Sequence, residues 1–159
     1  MIDPLAHALG AAAFLTTAGV VFNHPARSMG AQFDTTITSA LGVCFGMALS
    51  YAGLACSVAY NNNHPETIEV GAVINALFLF LGIFAAQMIR QLFPRFFFFS
   101  LQAMIVFIFS FSTTAGLLQT TIPIQLPLQF GLPLLCGAAI SQFVNLFIWP
   151  ETAVEGLGK

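Results

Sequence analysis

The side chains able to do chemistry in this sequence are amides and hydroxyls set inside long apolar stretches. Asn75 and Gln87 share one stretch, Gln102, Ser110 and Thr114 a second, and Gly137, Ser141, Gln142 and Asn145 a third. Gly137, Ser141 and Asn145 follow one another at four-residue intervals, so a helix would carry them on one face, with Gln142 beside it. Neutral groups of this kind hydrogen-bond; they do not supply a nucleophile or a proton relay. Two uses are open to them. They tie helices together inside a membrane, or Asn75, Gln87, Gln102, Ser110, Ser141, Gln142 and Asn145 line a polar permeation path.

Other chemistries are poorly served. His7, His24 and His64 stand apart from cysteines and carboxylates at metal-ligand spacing. Cys44, Cys56 and Cys136 form no C-x-x-C pair and read as small core residues. There is no G-x-S-x-G, H-E-x-x-H or phosphate-binding loop. The expectation is therefore no catalytic residue, no metal, no cofactor and no enzyme. A basic stripe is also missing, which argues against nucleic acid as a partner.

The elements that carry these groups are dictated by composition. Only 6% of the 159 residues are charged and 58% are hydrophobic. Soluble domains carry about 25% charge, so the partner of most of this surface is expected to be a lipid bilayer. A helix needs about 20 apolar residues to cross the hydrocarbon core. Five stretches qualify, at residues 5–22, 35–60, 67–89, 96–118 and 128–149, followed by a tail at 150–159. Their length excludes barrel strands. Backbone groups in lipid must be satisfied internally, so the expected fold class is all-α: a polytopic transmembrane helical bundle of about five spans.

The connectors hold turn chemistry at Pro25, Pro65 and Pro94, and Pro127 suits the first turn of the last helix. The segment from Gln119 to Pro127 is either a plain loop or a shallow re-entrant stretch. Arg27 lies in the first connector, Arg90 and Arg95 in the third, and Lys159 in the tail, whereas the second and fourth hold no Lys or Arg. The positive-inside rule then places connectors one and three and the C-terminus in the cytoplasm. Arg27, Arg90 and Arg95 serve as headgroup anchors or recruit an anion at the cytoplasmic mouth. Phe96 to Phe99 are expected to form an anchor facing lipid or the interface.

Within the second span, Gly42, Gly46 and Ser50 recur every four residues, and Ala48, Ala52 and Cys56 make a neighbouring small-residue line. Small faces let helix backbones approach closely. Gly42, Gly46, Ser50 and Gly137 are thus expected at helix contacts, with a sliding or dimer surface as the alternative.

Two connector motifs carry a resemblance. His24-Pro25-Ala26-Arg27-Ser28-Met29-Gly30-Ala31-Gln32-Phe33-Asp34 precedes the Gly-rich helix, and Asn145-Leu146-Phe147-Ile148-Trp149-Pro150-Glu151-Thr152-Ala153 closes the last span. Together they resemble the fungal branch of the fusaric acid resistance / aromatic acid exporter superfamily. That branch is described as an endoplasmic-reticulum transporter with a six-helix N-terminal region. Brefeldin-A-sensitivity-type proteins and plant aluminium-activated malate channels are more distant in resemblance. The positions matching the family motifs are His24, Pro25, Arg27, Gly30, Pro150 and Glu151, none with an assigned role. The resemblance implies export or permeation of small organic, often aromatic, acids, in the endoplasmic reticulum or plasma membrane. It also implies six helices and a longer chain, so a partial transporter domain is expected, acting as a homo-oligomer or with the remainder of a longer transporter. The alternative function is a non-transporting membrane scaffold or assembly protein.

Overall fold

Long uninterrupted runs of apolar residues, each broken by Pro or Asn, fold here as helices because a helix alone satisfies its own backbone without water. The computed structural model describes residues 13–23, 29–64, 68–114, 121 and 125–147. Among them lie α1 (Ala13–Phe22), α2 (Met29–Asn63), α3 (Ile68–Leu92), α4 (Phe97–Thr114) and α5 (Gln125–Phe147), and no strand. A single 3-10 turn, Pro94–Phe96, joins α3 to α4. The last four helices, with the 3-10 turn leading into α4, are long and apolar enough to cross a membrane. The protein is an all-α bundle of the transmembrane kind, as composition requires. Residues 5–12 of the first expected span, the connector after Thr114 apart from Thr121, and the tail from residue 148 lie outside the described residues.

The observed helices differ from the expected spans in one useful way. α2 begins at Met29 rather than Thr35 and runs 35 residues. At 1.5 Å per residue that is about 52 Å, against a hydrocarbon core of about 30 Å. Its first turns, carrying Gln32, Asp34, Thr35, Thr36, Thr38 and Ser39, are polar. Residues 29–34 form a helical extension where a connector was expected, and the polar residues from Thr35 to Ser39 continue it into the expected span.

α2 and α4 form a parallel pair at the centre. Position 42 sits against Phe99, position 46 against Ala103 and Val106, and position 53 against Phe111. A β-carbon at Gly42 would stand 2.8 Å from the Phe99 Cα, so only glycine permits this approach. Gly46 serves the same seam: a β-carbon there would be 3.2 Å from the Ala103 carbonyl oxygen. Ser50, one turn on, is fully buried. On one side of the pair, α3 encloses a cluster of Leu54, Ala86, Ala103, Phe107 and Phe111. On the other, α1 and α5 enclose Leu15, Val43, Val106, Phe130 and Leu134. α1 runs parallel to α5, where Gly19 and Gly137 meet: a β-carbon on Gly137 would lie 2.9 Å from the Gly19 Cα. Gly42, Gly46 and Gly137 therefore sit at helix contacts, and Ser50 is buried.

The second small-residue line behaves differently. Ala48, Ala52 and Cys56 are exposed on the outer face of α2. Cys44 and Cys136 are exposed as well, which corrects their reading as core residues. In a membrane helix the outward face is as apolar as the inward one, so an apolar neighbourhood in sequence does not distinguish the two. α3 presents Val73, Leu77, Phe80, Leu81 and Phe84 outward, a face suited to lipid tails.

Candidate functional site

The densest polar structure among the described residues is built on Asn23, the residue that follows α1. A helix end leaves carbonyls without intrahelical partners, and here α2 and α5 supply them. The Asn23 carbonyl accepts a hydrogen bond from Gln32 Nε2 at 2.7 Å and another from the Ser141 hydroxyl. Gln32 Nε2 also donates to Ser141 Oγ at 3.0 Å. The Asn23 side chain closes the ring: Nδ2 donates to the Gly19 carbonyl at 2.9 Å, and Oδ1 accepts from Ser39 Oγ at 3.1 Å. One turn away, Thr36 Oγ1 lies 2.9 Å from the Gln32 carbonyl and 3.0 Å from Gln142 Oε1, so its single proton alternates between them. Asn145 is buried on the same face of α5.

Three of the seven expected path residues, Ser141, Gln142 and Asn145, thus gather where α5 meets α2. Ser141 and Gln142 are spent on bonds between helices. Sequence reasoning missed Asn23, Gln32, Thr36 and Ser39. The signal was present: Gln32, Thr36 and Ser39 share a helical face at spacings of four and three, but Gln32 precedes the expected span by three residues.

This node makes a sharp expectation. In Gln32→Leu the Asn23 carbonyl loses its amide donor, and stability should fall by about 1–2 kcal/mol. Ser141→Ala should be non-additive with it, because both donors serve one carbonyl. A double-mutant cycle by denaturant unfolding in micelles reads the coupling; strict additivity would dissolve the node into independent contacts.

The other four residues are scattered. Gln87 Nε2 donates to the Met104 sulfur at 3.2 Å across α3 and α4. Asn75 is buried in α3, with no hydrogen-bond partner for Oδ1 among the described residues. On α4, Gln102 and Ser110 are fully buried, and neither the Gln102 amide nor the Ser110 hydroxyl has a partner among the described residues; Ser50 on α2 and Ser100 on α4 are in the same condition. Helical periodicity turns Gln102 away from the α3 side and toward the Phe109 side, where Phe109 stacks on Phe130 of α5 at 5.4 Å.

A cavity of about 260 Å³ opens at the end of the bundle, lined by Ala31, Asp34, Thr35, Thr38, Pro94, Arg95, Phe97 and Phe98. Its rim holds a bidentate ion pair. Arg95 donates from Nε to Asp34 Oδ2 at 2.9 Å and from Nη2 to Oδ1 at 2.6 Å. Arg90 lies 4.5 Å above the Phe97 ring. Both cations of the third connector are therefore engaged by protein groups. The ion pair also brings the start of α2 and the α3–α4 turn to one end of the bundle. Phe97 faces outward as expected of an anchor, whereas Phe98 and Phe99 turn partly inward.

Compared with known proteins, the chain matches no family model, no curated protein and no solved structure. Of the family-motif positions, Gly30 is exposed and a β-carbon there would meet nothing within 4 Å. His24, Pro25, Arg27, Pro150 and Glu151 lie outside the described residues.

Proposed function

We infer that this bundle is a membrane transporter domain for small organic acids, working by passage of the solute between α2, α4 and α5. The observation that supports this reading is Gln102. A fully buried amide with neither end hydrogen-bonded costs about 1–3 kcal/mol. A passing carboxylate, or the water that accompanies it, would satisfy it. Ser110 and Ser50 stand in the same unpaired condition and extend the polar lining. The resemblance in the connector motifs supplies the solute class, and the absence of a deep Lys or Arg means that neutral donors would carry the anion. Five helices line a path poorly alone, so self-association belongs to this reading. The end bearing Arg90 and Arg95 would be cytoplasmic, in the endoplasmic reticulum or plasma membrane.

The test is uptake of radiolabelled benzoate and malate by liposomes reconstituted with the whole chain. Saturable uptake above protein-free liposomes is expected. Equal uptake by both preparations would leave the second reading, a membrane scaffold. That reading has its own support in the Asn23–Gln32–Ser141 node, which locks three helices through groups that a transporter would leave free.

A further inference from the structure

We propose that the cavity beside the Asp34–Arg95 pair is a binding site for a phosphoethanolamine group, in the form it takes as a phospholipid headgroup. The pair has free edges. Arg95 spends Nε and one Nη2 proton on Asp34. Its guanidinium has five N–H donors, so the Nη1 edge and the second Nη2 proton point away from the carboxylate. Each Asp34 oxygen takes one of these bonds and keeps acceptor capacity. A ligand can therefore engage both charges without breaking the pair.

The charge arrangement selects the ligand. A lone anion drawn to Arg95 meets the Asp34 carboxylate 2.6 Å from the same guanidinium. A zwitterion laid antiparallel to the pair gains at both ends, with phosphate on Arg95 and ammonium on Asp34. Thr38 adds to the ammonium side: its hydroxyl proton goes to the Asp34 carbonyl, leaving its oxygen to accept. Arg90 adds a second positive charge behind Phe97 for the phosphate side.

The acceptor character of the ammonium end favours a primary ammonium, which donates three hydrogen bonds, over a quaternary one, which donates none. An aromatic cage would reverse that preference, but a cage needs several open ring faces, and one face of Phe97 is taken by Arg90.

Position favours the lipid over a free solute. The pair lies beside the turn between two membrane-crossing segments, Glu69–Leu92 and Pro94–Thr114. The Arg95 side chain is 74% exposed and that of Asp34 41%. Phe97 and Phe98 provide an apolar edge for the start of the acyl chains. This inference is independent of transport.

The test is native mass spectrometry of the whole chain from micelles holding equal amounts of dioleoyl phosphatidylethanolamine, phosphatidylcholine and phosphatidylglycerol. Retention of phosphatidylethanolamine about tenfold over phosphatidylcholine is expected, the factor that one charge-assisted hydrogen bond provides. Asp34→Asn should abolish that preference and Asp34→Glu should keep it. A second arm follows thermal stability with soluble phosphoethanolamine against phosphocholine. Preference in the lipid arm alone identifies the headgroup in its bilayer, and preference in both means that the free group suffices. Equal retention of all three lipids by the unmodified protein, with no preference in the soluble arm, would overturn the proposal. So would phosphatidylglycerol retained above phosphatidylethanolamine, which marks a plain anion site.

Discussion

Gln102→Leu is expected to make the protein more stable and to stop solute flux. Gln102 is fully buried and neither its nitrogen nor its oxygen has a hydrogen-bond partner among the described residues. Leucine of similar size removes two desolvated polar atoms, and the gain should be about 1–3 kcal/mol in denaturant unfolding from micelles. A group kept at that cost serves something other than folding, which is why the same variant belongs in the liposome assay. Gain of stability with loss of flux places Gln102 on the path. Gain of stability with unchanged flux removes it from the path. Loss of stability would mean that the amide holds the fold together, and the transport reading would lose its principal support.

Gly42→Leu is expected to be the most damaging single substitution in the central seam. A β-carbon at position 42 meets the Phe99 carbonyl oxygen as well as its Cα and C, the latter two at 2.8 and 2.9 Å. Ordinary overpacking costs about 1–3 kcal/mol because side chains can give way. Here the obstacle is backbone, and α2 must separate from α4 along its length. A loss of at least about 3 kcal/mol is expected, read as a lowered melting temperature and a broadened size-exclusion profile. Gly30→Leu is the control: the same change one residue inside the start of α2, where nothing lies within 4 Å, should change stability by no more than about 0.5 kcal/mol. Equal damage from both would trace the effect to helix composition rather than to the seam.

The helices were legible in the sequence because each is a run of apolar residues bounded by Pro, Asn or Arg. Their contacts were legible only from one side. The spacing of Gly42 and Gly46 announces a close approach, yet nothing in it names Phe99 or Ala103 as the partner. Gly137 announces itself in the same way, but Gly19 carries no periodic mark. The node was half visible: Ser141 and Asn145 share a face by simple counting, while Gln32 lay in what looked like a connector. Start signals were weak there, since α2 opens with Met29-Gly30-Ala31 and no acidic residue in its first turn. The Asp34–Arg95 pair was implied in outline. Assigning connectors one and three to one side of the membrane put the two residues at the same end, but Glu151 and Glu155 of the tail were assigned there as well, so the partner of Arg95 was not legible. The outward cysteines were not legible, because hydropathy does not separate a lipid-facing side chain from a core one.

The pairing of α1 with α5 has a consequence for how the molecule is made. Ser141 binds the Asn23 carbonyl across 118 residues of sequence. At about 5–20 residues per second, a ribosome needs roughly 6–24 s to synthesise that interval. During that time the Asn23 carbonyl lacks one of its two donors, and Gly19 lacks Gly137 as its neighbour. α1 thus meets α5 only after α2, α3 and α4 have been made, and the α1–α5 contact waits on the synthesis of α5.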